Sequence, residues 1–336
     1  MDLSDITIVI LSRGRENALR RTLNYWESCN AQVIVLHNTK LPLSKELFSR
    51  NIQYEVITEP FSARCGIVPK FLKTQFAILG SDDEVYIHSA LKSMEYALKV
   101  NPEIVSVGGC TVGAGKYGPM TYAAPAYQNM YGYRNISNDP LERIRYHFNP
   151  SVGFRTGGMY RLMRAPIMAT VMESFSNMTP ISTPYIFEIS GEILINACGP
   201  SIYLPNVYWI RNWNNEVVND GSWNRGLSFT NWITMPKYHS ETIEWFNAMR
   251  EFIPINQQDF ELVIQHVIKW CVETDVSEYS HKKRRLPISD NLKFIIRSVL
   301  ARKSLPPSVT KTLTDMRSNN IVFDEREIRK AIRNII

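Results

Sequence analysis

The sequence predicts an α/β fold: a Rossmann-like, mostly parallel central sheet flanked by helices, followed by a C-terminal helical region. Three observations predict it. Short β-branched apolar runs alternate with amphipathic segments over the first 110 residues. The runs are continuously apolar, as strands covered on both faces must be. Beyond about residue 240 the pattern is helical to the end, broken by Pro254, Pro287 and the Pro306-Pro307 pair.

In chain order, ITIVIL (Ile6 to Leu11) reads as the first buried strand, and SRGR breaks it. ENALRRTLNYWES follows, with Ala18, Leu19, Leu23 and Trp26 near helical spacing. AQVIVLHNT and IQYEVITEP read as the second and third strands, the latter ended by Pro60. CGIVPKFLKTQFAILG gives a helix or turn and then a fourth strand ending at Gly80. SALKSMEYALKVNPE is amphipathic, with Leu91, Met94, Ala97 and Leu98 on one side, and EIVSVGG is a fifth strand. Such alternation produces right-handed crossovers and parallel strands. Ligands bind such sheets at the strands' carboxyl ends, so SRGR, HNT and GSDDE converge on one edge. Residues 113 to 135, rich in Gly, Pro and Tyr, read as loops. YIFEISGEILINACG reads as a helix closed by Gly199, and PSIYLPNVYWIRNWN as a further strand.

The composition is that of a soluble globular chain, 44% hydrophobic and 21% charged, without low-complexity tracts. A net charge of +6 favours anionic partners, but the excess is modest and concentrated near HKKRR (His281 to Arg285), so nucleic acid is not expected. Five scattered cysteines without a CxxC pair argue against a zinc site or a disulfide framework and fit a reducing compartment. The first apolar run is too short for a signal sequence or a membrane span. The expectation is a cytoplasmic protein.

Ser81, Asp82, Asp83 and Glu84 stand where the fourth strand surfaces. Adjacent carboxylates repel, and a hard divalent ion such as Mg²⁺ or Mn²⁺, completed by water and substrate phosphates, would cancel that repulsion. A solvated turn with an acidic helix cap is the plainer reading.

Taken in order, TIVILSRGRENALRRTLNYW, VIVLHNT, ARCGIVPKFLKT and AILGSDDE resemble the nucleotide-sugar-binding half of GT-A-type glycosyltransferases. The family 2 enzymes of bacterial surface-polysaccharide synthesis are the most similar. The likeness covers about residues 5 to 215. It implies residues 1–110 as the nucleotide-sugar-binding half, 111–235 as the acceptor-binding and catalytic half, and 236–336 as the helical region. It further implies Asp83 as metal ligand and Asp82 toward the ribose or the metal, beside Ser81. Ser12, Arg13 and Arg15 of the SRGR turn would lie under the nucleotide base. Arg64 would approach base or phosphate, with Lys70 and Lys73 as alternatives. Where many members end the second strand in two aspartates, this chain has His37-Asn38. Asn38 can donate as well as accept, so the donor base is left open.

The resemblance also implies a carboxylate base at the start of a helix about twelve residues before a Gly. Counting back from Gly199 gives Glu188, with Glu192 one turn on as the alternative. Gly157, Gly158 and Arg161 of TGGMYRLM match a segment that approaches the acceptor, although a tight turn explains paired glycines equally well. Arg211 falls near the diphosphate. The Tyr-rich segment 117–133 and the Trp-rich segment 209–232 are expected to include acceptor contacts. The implied activity is a metal-dependent, inverting transfer from a nucleotide sugar to a saccharide or lipid-linked saccharide, in cell-surface polysaccharide (O-antigen or capsule-type) assembly. The alternatives are a sugar nucleotidyltransferase, disfavoured by the single Gly of SRGREN, and a catalytically silent GT-A-like binding subunit. The basic segments NLKFIIRSVLARK and EIRKAIRNII could lie on the cytoplasmic face of an anionic inner membrane, or pack on the catalytic domain or on another subunit of a homo-oligomer.

Overall fold

The structure is a computed structural model of the chain, describing residues 2–44, 48–117, 120–152, 157–178, 182–214, 227–283 and 307–336, the side chains of 117, 152 and 274–283 excepted. The amphipathic stretch 291–303, Arg284, Arg285 and residues 215–226 of the Trp-rich segment lie outside the described residues.

One mixed sheet organises the molecule. Its strands are β1 (Ile6–Arg13), β2 (Gln32–Asn38), β3 (Ile52–Val56), β4 (Phe76–Gly80), β5 (Val85–Tyr86), β6 (Ser106–Tyr117), β7 (Met120–Ala126), β8 (Arg134–Asn135), β9 (Leu162–Arg164) and β10 (Ser201–Asn212). The spatial order is β3-β2-β1-β4-β9-β6-β10-β5, with β7 on β6 and β8 on β10. The pairs β1–β2, β2–β3, β1–β4 and β6–β10 are parallel. The short β9 joins the two parallel groups, running antiparallel to both β4 and β6. The sheet is therefore continuous across residue 110, which lies inside β6.

The helices are α1 (Glu16–Trp26), α2 (Phe61–Ile67), α3 (His88–Val100), α4 (Pro140–His147), α5 (Ala165–Ser176), α6 (Tyr185–Cys198), α7 (Phe229–Thr234), α8 (His239–Phe252), α9 (Gln257–Lys283), α10 (Val309–Ser318) and α11 (Glu325–Ile335). None of the described helices is long and apolar enough to cross a membrane.

Alternation along β1 divides the core. Ile6, Ile8 and Ile10 point to one face, where Leu91 and Met94 of α3 and Leu313, Ile328 and Ile332 of α10 and α11 complete the packing. Val9 points to the other, among Met172 and Phe175 of α5, Ile193 of α6, Trp245 of α8 and Trp270 of α9. Side chains of a strand face alternate sides, so one apolar run supplies both cores. The C-terminal region is thus split between the two faces of the sheet. EIRKAIRNII forms most of α11, whose Ile328, Ala331, Ile332 and Ile335 are buried in the first core. Its apolar face packs against the central sheet rather than standing free for a bilayer.

One segment departs from expectation. Residues 113–135 begin not as loops but as the β6–β7 hairpin, paired from Thr111–Ala126 to Tyr117–Met120. The glycines misled because they serve packing. A Cβ at Gly113 would strike the Trp213 ring, and one at Gly115 would strike Tyr122 and Asn214.

Candidate active site

The carboxyl ends of β1 and β4 meet in register, Ile10 opposite Gly80. Two residues further on, Ser12 and Asp82 face each other. Ser12 Oγ donates to Asp82 Oδ2 at 2.8 Å, and Thr22 Oγ1 of α1 donates to the Asp82 carbonyl at 3.0 Å. Gly14, at φ +58°, turns the chain from β1 into α1. That turn brings Arg15 back over the aspartates. Arg15 Nε donates to Asp82 Oδ2 at 3.2 Å, Nη2 pairs with Asp82 Oδ1, and Nη1 pairs with Asp83 Oδ2 at 2.6 Å. Ser81 Oγ donates to Asp83 Oδ1 at 2.5 Å. Each aspartate side chain is 3% exposed, Arg15 22%. Burial raises the Asp82 carboxyl above its ordinary value, with Arg15 opposing.

The acidic run does not act as one cluster. Glu84 turns away and accepts from Trp209 Nε1 at 2.8 Å and Arg211 Nε at 2.9 Å, while Arg211 also donates to Tyr127 Oη. Burial pushes Glu84 up to about 7, with Arg211 opposing. Tyr127 and Tyr160 both stack on Trp209, at 5.6 and 4.7 Å between ring centroids.

A divalent ion needs open carboxylate oxygens. Here all four oxygens of Asp82 and Asp83 already accept from Arg15, Ser12 or Ser81. Among the described residues, no group of three or more His, Cys, Asp or Glu is placed to hold a metal ion. With Arg15 in place the residues do not fit Mn²⁺ or Mg²⁺.

The two candidate bases separate cleanly. Glu192 is 2% exposed and accepts from the Gly158 amide, from Arg161 Nη2 at 2.7 Å, and lies 3.1 Å from His147 Nε2. His147 Nδ1 in turn meets Tyr133 Oη at 2.9 Å. Arg161 is 0% exposed and sits over the rings of Tyr133 and Tyr203. It therefore has no surface to offer an acceptor, contrary to expectation. Gly158 is required because a Cβ there would strike both Glu192 and Arg161. The paired glycines thus serve this buried ion pair, and Gly157, at φ +111°, makes the turn into it.

Glu188, one helical turn away in α6, is half-buried and makes no hydrogen bond or ion pair among the described residues. Burial pushes its carboxyl up to about 7, and the negative charge of Glu192 adds to the rise. The Tyr160 phenol feels the charges of both this glutamate and the acidic turn. Burial raises this phenol far above the ordinary value, and the charges of Glu188, Glu84 and Asp83 raise it further, in that order, while Arg15 opposes.

The other expected residues brace the strands or stand exposed. Arg64 is buried, its Nη1 donating to the carbonyls of Ser12 at 2.7 Å and Leu36 at 2.9 Å, so it ties β1 to β2. Asn38 donates to the carbonyls of Thr58 and Glu59 at 2.9 and 3.0 Å, pinning the loop after β3. Arg13 ends β1 opposite Asn38. Lys70 and Lys73 are exposed on the segment before β4. Tyr160 and Glu84 were missed as site residues in the sequence. Tyr160 lies between the two singled-out features of TGGMYRLM, Gly158 and Arg161, and periodicity gives it no mark.

No protein-family model matches the chain, and no curated protein is significantly similar to it. Among solved structures it is similar to S. aureus TarS 1-349, at 11% identity over 86% of this chain and 93% of that one, with a TM-score of 0.43. It is similar also to a longer S. aureus TarS structure, at 12% identity over 82% of this chain and 55% of that one, again with a TM-score of 0.43. A likeness of this degree says nothing about the chemistry of the site.

Proposed function

We propose that the chain is a GT-A-type glycosyltransferase that moves a sugar from a nucleotide-sugar donor to the hydroxyl of a saccharide or lipid-linked saccharide, in the assembly of a cell-surface polysaccharide. The observation that carries this reading is Glu188: a half-buried carboxylate on α6 with no hydrogen bond or ion pair among the described residues, pushed by burial up to about 7. A general base works best with a pKa near the working pH.

In this reading the donor lies at the carboxyl ends of β1 and β4, its diphosphate between Arg15 and Arg211. Glu188 removes the proton of the acceptor hydroxyl. The oxygen then attacks the anomeric carbon opposite the leaving nucleotide, giving inversion. The guanidiniums stabilise the negative charge that develops on the diphosphate as the bond breaks. The Tyr127–Trp209–Tyr160 stack shapes the apolar wall beside the sugar.

The test is a thermal-shift screen of nucleotide sugars, followed by donor hydrolysis with the stabilising compound. Ligand binding raises the melting temperature by mass action. The reading expects one donor class to stabilise the protein, and hydrolysis to be lost in Glu188→Gln while stabilisation is kept. Stabilisation with no turnover in wild type would instead favour a binding subunit. Pyrophosphate release from a nucleoside triphosphate and a sugar phosphate would favour a nucleotidyltransferase.

A further inference from the structure

We infer that Arg15, not a divalent ion, supplies the positive charge at the acidic turn, and that the turn receives the diphosphate of its donor without metal. The inference rests on the donor-site reading above for the identity of the anion. Its physical basis is independent of that reading.

Two adjacent carboxylates at 3% exposure require a counter-charge. Arg15 provides it with a fork that spans both side chains, two donors to Asp82 and one to Asp83. A guanidinium is planar and carries five N–H donors, so this arrangement engages three and leaves one on each Nη. The Arg15 side chain is 22% exposed, against 3% for each aspartate, so of the three it is the one that solvent reaches. The aspartates therefore hold the guanidinium, and the guanidinium has donors left for an oxyanion. Bidentate phosphate recognition is the geometry that arginine suits best.

The arrangement is fixed from several sides. Ser12 and Ser81 satisfy the carboxylate oxygens that Arg15 shares or leaves. Thr22 anchors the backbone carbonyl of Asp82. Gly14 sets the turn that returns Arg15 to the strand end. A second arginine repeats the pattern among the described residues: Arg211 pairs at Nε with Glu84 and donates from Nη1 to Tyr127 Oη. Two arginines are thus held by carboxylates, and each is suited to an oxyanion partner.

The test combines Mn²⁺ alone, followed by electron paramagnetic resonance, with calorimetry of UDP, GDP and ADP in EDTA or in Mn²⁺. The variants are Arg15→Gln, Arg15→Lys and Arg15→Gln/Asp83→Asn. Wild type and Arg15→Lys are expected to bind no Mn²⁺ at the turn. Arg15→Gln exposes the two carboxylates and gains at least about a hundredfold in Mn²⁺ affinity, as removal of a neighbouring cation predicts. Asp83→Asn added to it abolishes the gain. Wild type binds one of the diphosphates equally well in EDTA and in Mn²⁺, and Arg15→Gln binds it about tenfold or more weakly in EDTA. Mn²⁺ bound at Asp82 and Asp83 of wild type, or diphosphate binding that collapses in EDTA, would overturn the inference. Should Arg15→Gln not fold, Arg15→Lys and the wild-type comparison in EDTA still decide it. Failure of all three diphosphates to bind wild type under either condition would refute the donor site, while the Mn²⁺ measurement still decides whether arginine or metal neutralises the turn.

Discussion

The acidic turn after β4 and the inner face of α6 both hold carboxylates inside protein, and they treat them in opposite ways. At the turn every carboxylate has a cationic partner: Asp82 and Asp83 share Arg15, and Glu84 takes Arg211. On α6 Glu192 is paired, with Arg161 behind it, and Glu188 has no partner among the described residues. The difference teaches what each carboxylate does. A paired, buried carboxylate holds its partner in place, because losing the pair strands a charge. An unpaired one at the edge of solvent keeps its lone pairs for a proton. The turn therefore holds cations in place, and on the proposed reading α6 positions a base.

The sharpest way to break this comparison is Glu188→Gln. The amide is nearly isosteric and cannot take a proton, so transfer should fall by about 10²–10⁴-fold, the usual worth of a positioned base. Donor affinity by calorimetry should not change. A smaller loss of rate, or an equal loss of donor binding, would mean that Glu188 is not the base. The paired neighbour should behave differently. Arg161→Met leaves Glu192 buried without its counter-charge and should cost about 3–5 kcal/mol in chemical denaturation. Double replacement of Arg161 by Met and Glu192 by Leu should recover much of that loss. If Arg161→Met were neutral, the pair would not be the brace described here. Gly158→Ala probes the same brace from the backbone. Its Cβ would collide with Glu192 and Arg161, and overpacking of this kind costs about 1–3 kcal/mol.

Much of the first half was legible in the sequence because its signals are local. ITIVIL, VIVL and FAILG are apolar but for Thr7, and each became a strand buried on both faces with a parallel neighbour. The SRGR turn and the SDD turn were placed on one edge by topology alone, and Arg15 and Asp82 do meet there. What the sequence could not reveal is which charges neutralise one another. Nothing in a string of letters says that Arg15 folds back 67 positions along the chain onto Asp82, or that Arg161 lies against Glu192 instead of an acceptor. The β6–β7 hairpin was hidden for another reason. Its glycines and tyrosines carry a loop's composition, and their strand role depends on Trp213 filling the space that missing side chains leave. Glu188 and Glu192 were indistinguishable by spacing, since one helical turn puts both on the same face. Only the tertiary partners of each separate them.

The smallest effect in the series concerns pH and tests the same contrast without any substrate. Glu188 is protonated more readily in the folded chain, at about 7, than an ordinary glutamate at 4.5. Folding therefore takes up a proton at this position between those two values. The favourable contribution is complete below about 4.5 and disappears as pH rises through about 7, where burial of the ionised carboxylate opposes folding. Glu188→Gln lacks this titration. Its melting temperature relative to wild type should rise between pH 5 and pH 8, by about 2 °C for a chain of this size. Glu192 gives no such simple step, because Arg161 remains beside it and opposes the effect of burial. The rate should follow the same group in the opposite sense: transfer by wild type should increase with pH as Glu188 loses its proton, with a midpoint near 7. A melting difference that does not change with pH, together with a rate profile flat through 7, would show that Glu188 is an ordinary surface carboxylate and would remove the contrast between α6 and the acidic turn.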